Sequence, residues 1–227
     1  MKTSNIILAT LLGSITFIII AGAVQVRVTG SKLTAHTEQV LEAIDLRDFK
    51  YLVIQKSINL TIAPSEKSQL EIRSATGEKR PRVNYRQVGD TLFIDGIEFG
   101  PEGRSLVVIL KAPLNNLELI KAEEANFALQ DFPGATLDVD LNRTSFNLRS
   151  TDASTIGRLR ISGVNHSSIW SSNLNVDTLT LYLDESSANI PGTIQQLKGS
   201  MANNATLSVG DIAQIDFRKD SSSKLYP

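Results

Sequence analysis

TLTLYLDESSANI, residues 178–190, begins as a strand and then turns without the usual turn residues. Leu179, Leu181 and Leu183 alternate with Thr178, Thr180 and Tyr182, the period of two expected of a strand with one buried face. Asp184, Glu185, Ser186 and Ser187 follow, no Gly or Pro occurs before Pro191, and an apolar residue is back at Ile190. A chain that bends at small polar residues and re-enters its own core this quickly is turning a corner.

The same two-part unit recurs on both sides of that stretch. Its strand part reads NLELI (Leu117, Leu119), LDVDL (Leu137, Val139), LRISG (Leu159, Ile161), LTLYL (Leu179, Leu181), LKGSM (Leu197, Gly199) and IDFRK (Ile215, Phe217), at spacings of 20, 22, 20, 18 and 18 residues. Its corner part reads EANFAL, TSFNL, HSSIW, SSANI, NNATL and SSSKL, closing on Leu129, Leu148, Trp170, Ile190, Leu207 and Leu225. One such unit is too small to bury its own apolar face, so the units must stack. The expected fold is all-β: a β-helix-like solenoid with parallel coils of about 20 residues.

Stacking dictates the corner chemistry. Coils lie about 4.8 Å apart, so a corner residue sits on its own equivalent and has to be narrow or able to bond along the column. Ser, Asn and Ala satisfy one or both conditions. Inside, Phe127 and Phe146 are expected to be followed in their column by Ser168, Ala188, Ala205 and Ser223, and Trp170 is expected to close an apolar column. Gly199 interrupts another column just before Phe217, whose ring has room to lean in.

The outward positions, aligned by the same period, form two columns. One reads Glu118, Asp138, Arg160, Thr180, Lys198, Asp216 and the other Ile120, Asp140, Ser162, Tyr182, Ser200, Arg218. Glu118, Asp138 and Asp140 then share one face with Arg160 beside them. Carboxylates on adjacent coils can hold Ca²⁺, which acidifies the α-proton of a sugar acid for removal by a base. The competing reading, which we favour, is a set of exposed cross-coil ion pairs such as Asp138 with Arg160 and Lys198 with Asp216. On that reading the expected catalytic, metal and cofactor sites are none.

Upstream, YLVIQ, INLTIAP, QLEIRS, RVNYRQ, TLFIDG and SLVVILKAP are short alternating runs separated by SEKS, TGEKRP and VGD, and they read as hairpins. The basic cluster GEKRPR, residues 77–82, reads as a solvated loop. Residues 47–227 are thus expected to form one solenoid domain, hairpin-like over 47–113 and regular over 114–227. Residues 31–46 read as a polar junction, with a short helix through TEQVLEAI.

Ile6–Val24 carries no charge, and as a helix it would span roughly 28 Å, enough for a bilayer. Residues 1–30 are therefore expected to be a transmembrane anchor, with a cleaved signal peptide ending near Ala21–Ala23 as the alternative. Either places the β-domain outside the cytoplasm. Lys2 against Arg27 and Lys32 leaves the positive-inside rule balanced.

Composition narrows the function classes. Cysteine is absent from the 227 residues, excluding disulfide scaffolds and thiol nucleophiles, and two histidines, His36 and His166, exclude a multi-histidine metal centre. A formal charge of −1 gives no basic surface for nucleic acid. Asn-x-Ser/Thr sequons begin at Asn59, Asn142, Asn165 and Asn204; three fall at the repeating corners, where a polar ladder accounts for them better than glycosylation. His166 and Trp170 on one corner could also stack on a sugar.

The stretch from Phe49 to Ile62, then QLEI, GDTLFI, ISGVNHSS, DESSANI and DSSSKLY, resembles the bacterial auto-transporter adhesin head domain, the GIN domain, over about residues 46–226. Most corners here lack the glycine of that family's Ser-Gly-Ala-Ser corner. The resemblance implies a right-handed solenoid displayed outside the cytoplasm of a bacterium, and it supplies no catalytic residue. The expected protein is a non-catalytic adhesion, binding or scaffolding module of the cell envelope, with a glycan or an envelope protein as ligand, the membrane as partner through its N-terminal helix, and self-association through the exposed C-terminal solenoid edge. The alternatives are a carbohydrate-active β-helix enzyme and a membrane-anchored sensor.

Overall fold

The computed structural model describes residues 39–56, 58–74, 82–98, 106–151, 155–172 and 174–226. In chain order the strands are β1 (Gln39–Asp45), β2 (Tyr51–Gln55), β3 (Asn59–Pro64), β4 (Gln69–Ser74), β5 (Arg82–Val88), β6 (Thr91–Glu98), β7 (Leu106–Ala112), β8 (Leu119–Glu123) and β9 (Asn126–Gln130). They continue as β10 (Thr136–Asn142), β11 (Ser145–Arg149), β12 (Thr155–Val164), β13 (Ser168–Ser172), β14 (Leu174–Asp184), β15 (Ser187–Ala202), β16 (Thr206–Lys219) and β17 (Lys224–Tyr226). Among the described residues the helical content is a 3₁₀ turn at Leu114–Asn116, and no helix is long and apolar enough to cross a membrane. The apolar run 6–24 lies outside the described residues, as do residues 77–81 of the basic cluster.

The described residues form an all-β solenoid of stacked coils. Each coil gives one strand to each of two parallel ladders. The first ladder runs β6, β2, β8, β10, β12, β14, then the later halves of β15 and β16. The second runs β7, β3, β9, β11, β13, then the earlier halves of β15 and β16, and ends on β17. The two ends differ. At the amino-terminal end β5 and β4 lie antiparallel on the outer edges of β6 and β7, and β1 adds to β4.

Within 47–113, β5 and β6 form a local hairpin through Gly89 and Asp90, whereas β2 and β3 join the parallel stack. Of TEQVLEAI, residues 39–44 belong to strand β1 and not to a helix, and residues 37–38 lie outside the described residues. Pairing with β4, and the packing of Ile44 and Leu46 on the core, override its local preference.

Alternation along each strand builds continuous interior columns. Leu92, Leu52, Ile120, Val139, Ile161, Leu181, Gly199 and Phe217 form one, and Leu137, Leu159, Leu179, Leu197 and Ile215 another. On the second ladder Leu60, Phe127, Phe146, Ile169, Ala188, Leu207 and Leu225 line up. The Phe127 and Phe146 rings stack with centroids 4.7 Å apart. Gly199, at φ +123°, brings its backbone so close to Leu181 that an added Cβ would lie 2.0 Å from the Leu181 carbonyl oxygen. A larger residue does not fit that column position.

These columns correct the sequence alignment at the corners. Ile169, not Ser168 or Trp170, follows Phe146 inward, and Leu148 faces Ser171. Leu207 and Leu225 replace Ala205 and Ser223 beyond Ala188. At Ile169 the reason is corner length. Arg143 turns its corner alone, but Asn165 with His166, and Asn203 with Asn204, turn theirs in pairs, adding one residue that a fixed motif cannot show.

The corners between ladders explain how the chain bends without glycine. Glu124, Arg143, Asn165, His166, Glu185, Asn203 and Asn204 all hold φ between +48° and +65°. That left-handed conformation is uncommon for residues with a side chain and costs on the order of 1 kcal/mol or more each. Hydrogen bonding along the stack offsets it. The Glu124 N–H donates to Asn142 O (2.9 Å), Arg143 N–H to Val164 O (3.2 Å), His166 N–H to Glu185 O (2.9 Å) and Glu185 N–H to Ala202 O (3.3 Å).

The next residue in each corner is small and buried: Ala125, Thr144, Ser167, Ser186, Ala205 and Ser223. Their hydroxyls form a ladder. Ala125 N–H donates to Thr144 Oγ1 (3.4 Å), Thr144 N–H to Ser167 Oγ (3.2 Å) and Ser167 N–H to Ser186 Oγ (3.1 Å). Each hydroxyl in turn donates to a carbonyl of its own corner, Thr144 to Asn142 O (2.9 Å), Ser167 to Val164 O (2.7 Å) and Ser186 to Asp184 O (2.8 Å). Ser167→Ala leaves the buried Thr144 N–H without its acceptor and should cost about 1–3 kcal/mol. Ser208→Ala, on an outward position, should stay within about 0.5 kcal/mol. Urea unfolding of the two variants checks this, and equal midpoints would contradict the ladder.

Candidate functional site

The outward face of the first ladder carries the carboxylates singled out in the sequence. Its columns are Leu119, Asp138, Arg160, Thr180, Lys198, Asp216 and Lys121, Asp140, Ser162, Tyr182, Ser200, Arg218. Ile120 is therefore interior, where it is fully buried, and Leu119 and Lys121 take the outward places. The strand β8 enters its ladder one residue later than the Leu117 alignment implies. Leu117 is buried in the approach from the 3₁₀ turn instead.

This register puts Glu118 just before the ladder, its carbonyl accepting the Asp138 N–H at 3.0 Å while its carboxylate has other partners. Glu118 precedes β8, pairs with Lys50 Nζ at 3.3 Å and accepts a hydrogen bond from the Tyr51 hydroxyl at 3.2 Å. Asp140 is held by Arg160 Nη1 at 3.1 Å, and Arg158 lies 3.9 Å from Asp138. The Arg160 guanidinium also lies over the Tyr182 ring, 5.6 Å from its centroid. Glu118 and Asp140 are thus each held by a cation, whereas the buried Asp138 Oδ1 has no hydrogen-bond partner among the described residues. Among the described residues no group of three His, Asp or Glu side chains is placed to hold a metal ion.

Other carboxylates are bound more tightly into the scaffold. Burial alone would push the Glu71 carboxyl up, but hydrogen bonds and charge from Lys111 and Arg73 outweigh it and hold it below its ordinary value. Asp131 is held down by the Thr151 N–H and hydroxyl, each at 2.7 Å. Asp220 is held well below the usual carboxylate range by hydrogen bonds from Ser223, the Asn203 backbone and Ser222. All three stay ionised at neutral pH, which suits a fixed acceptor and not a proton donor.

Amide side chains bond from coil to coil at the corner sequons Asn142 and Asn165 and between the strand-opening residues Asn59 and Asn126. Asn165 Nδ2 donates to Asn142 Oδ1 (2.9 Å), Asn142 Nδ2 to Glu123 Oε1 (3.2 Å), and Asn126 Nδ2 to Asn59 Oδ1 (2.8 Å). Beside this ladder a shallow depression of about 340 Å³ crosses four coils, with Lys121, Glu123, Asp140, Asn142 and Ser162 among its walls.

The second ladder presents a different outward row. Ala128, Asn147, Trp170, Asn189, Ser208 and Tyr226 stand in register on successive coils. Trp170 is 52% exposed, contrary to the core role its apolar character implied. Its Nε1–H donates to Ser168 Oγ at 2.9 Å, which fixes the indole's edge while leaving ring surface accessible. An amide precedes and follows it along the stack. His166, exposed in the left-handed corner, contributes its backbone to the coil-to-coil bonding.

No family model matches the chain, and no curated protein matches it. Solved structures do. A "putative adhesin" of Bacteroides fragilis aligns at 12% identity and a TM-score of 0.44, covering 82% of this chain and 94% of its own. One from Parabacteroides merdae aligns at 15% identity and a TM-score of 0.45, with 82% and 95% covered. One from Parabacteroides distasonis aligns at 16% identity and a TM-score of 0.42, with 81% and 95% covered.

Proposed function

We propose that the protein is a non-catalytic binding module of the bacterial cell envelope, a right-handed solenoid held outside the cytoplasm by residues 1–30 acting as a membrane anchor. Its ligand is an extended glycan laid across the coils of the second ladder. The observation that carries this reading is the row Asn147, Trp170, Asn189: a half-exposed indole with an amide on the coil to either side. An aromatic face takes the apolar face of a sugar ring, and flanking amides offer both donors and acceptors to its hydroxyls. Coil spacing near 4.8 Å matches a polymer contacting several coils at once. A surface of this kind binds by many weak contacts and needs no convergent acid and base.

Two measurements on the full chain test it. Fractionation should find the protein in membranes after a high-salt wash, with the β-domain cut only by protease added from outside; mature protein starting at Val24 would replace the anchor by a cleaved signal and leave export standing. On a glycan array the protein should retain polysaccharides, and Trp170→Ala should weaken that binding about tenfold or more, the scale of a lost aromatic stack. Retention unchanged in Trp170→Ala would remove this row as the binding face.

A further inference from the structure

Among the described residues the carboxy-terminal end of the solenoid is left uncovered, whereas the amino-terminal end is capped. β4 and β5 cover the outer edges of β7 and β6 in antiparallel fashion, a common way to protect an edge. At the other end, among the described residues, β17 pairs only with Thr206–Ser208 of β16. Among the described residues no strand pairs with the far side of 211–219. The interior columns run out at this edge. Ile215 is 56% exposed although its column neighbour Leu197 is fully buried, and Ile212, Phe217 and Leu225 are only partly covered.

We propose that this edge is the interface of a twofold dimer, in which β16 pairs antiparallel with β16 of a second copy, centred on Phe217. The charge pattern selects a second copy as the occupant. Asp216, Phe217 and Arg218 are their own complement when read antiparallel. Directly opposed residues share a face, so each outward-facing Asp216 meets the Arg218 of the other copy, twice by symmetry. On the inward face Phe217 meets its twin, and each Ile215 lies against the aliphatic stem of the other Lys219. Sliding the register by two residues, the smallest slip that keeps the inward faces together, opposes Asp216 to Asp216 in one direction and Arg218 to Arg218 in the other. Like charges directly opposed are destabilising, so one register is preferred. The dimer also continues the interior columns across the symmetry axis, covering Ile215 and Phe217. It leaves the Trp170 row free on both copies, so it stands independently of the glycan reading.

The test uses the full chain in detergent, with mass measured by sedimentation and folding followed by far-ultraviolet circular dichroism. Wild type should sediment as a dimer. Arg218→Asp opposes Asp216 to an acid and should weaken the dimer about a hundredfold, and the combined Asp216→Arg, Arg218→Asp exchange should restore it. The chain has no cysteine, so Phe217→Cys introduces a single thiol, which should cross-link to its twin with a short bifunctional reagent, whereas Thr180→Cys should not. This second readout decides the matter if a charge variant fails to fold. A monomer at every concentration, a dimer indifferent to Arg218→Asp, or no cross-link through Phe217→Cys overturns the proposal.

Discussion

Phe146→Ala should cost about 3–5 kcal/mol of stability, while Asn147→Ala, one residue along the same strand, should cost less than about 0.5 kcal/mol. Phe146 is fully buried and stacks on Phe127, with Ile169 on its other side. The cavity cannot collapse. Backbone hydrogen bonds and the hydroxyl ladder fix the coil spacing, so the neighbouring side chains stay where they are. Because each coil touches only its neighbours, the loss should be local, with faster amide exchange concentrated in β9, β11 and β13. Denaturant midpoints and hydrogen exchange on the full chain measure both effects. A loss spread evenly from β2 to β17 would contradict the nearest-neighbour picture.

The second large effect lies at Leu181, where truncation to alanine should cost about 2–5 kcal/mol and fall toward the upper end of that range. Leu181 is fully buried between Ile161 and Gly199. Gly199 already leaves that column thin, and its backbone conformation and closeness to the Leu181 carbonyl forbid a compensating side chain there. Thr180→Ala, on the outward face, should stay within about 0.5 kcal/mol. Equal losses at 180 and 181 would reverse the inside-outside assignment.

That pair also shows what the sequence made legible. Leu179, Leu181 and Leu183 alternate cleanly, and a slip of one residue would turn all three outward, so the face they bury could be read directly. Repeat spacing similarly disclosed the parallel stack, because a coil that cannot bury itself needs a neighbour. Corner length was not legible. One left-handed residue at Arg143 and two at Asn165 and His166 are equally polar, and nothing local distinguishes them. The uncounted residue carried Trp170 from an expected core position to the surface, and with it the best candidate for a binding contact.

Glu118 was misplaced for a related reason. Leu117 and Leu119 imitate the strand alternation, but Leu117 is buried by the 3₁₀ approach and the ladder begins with Leu119 facing outward. The amino-terminal cap was hidden because its strands pair out of order: β6 and β7 lie on the outer side of β2 and β3, and then β8 and β9 continue on the inner side. Local patterning specifies strands, but it does not specify which distant edge they complete.

The most direct test of binding without catalysis is a joint assay of calcium response and turnover on the full chain. A ligand stabilises a native state only in proportion to its affinity for that state. With Glu118 held by Lys50, and Asp140 by Arg160, millimolar Ca²⁺ should leave the melting temperature unchanged, and uronate polymers should be retained or ignored but not cut. Calcium-dependent stabilisation together with release of unsaturated sugars, both lost in Asp138→Asn, would contradict it and make the first ladder's outward face an active site.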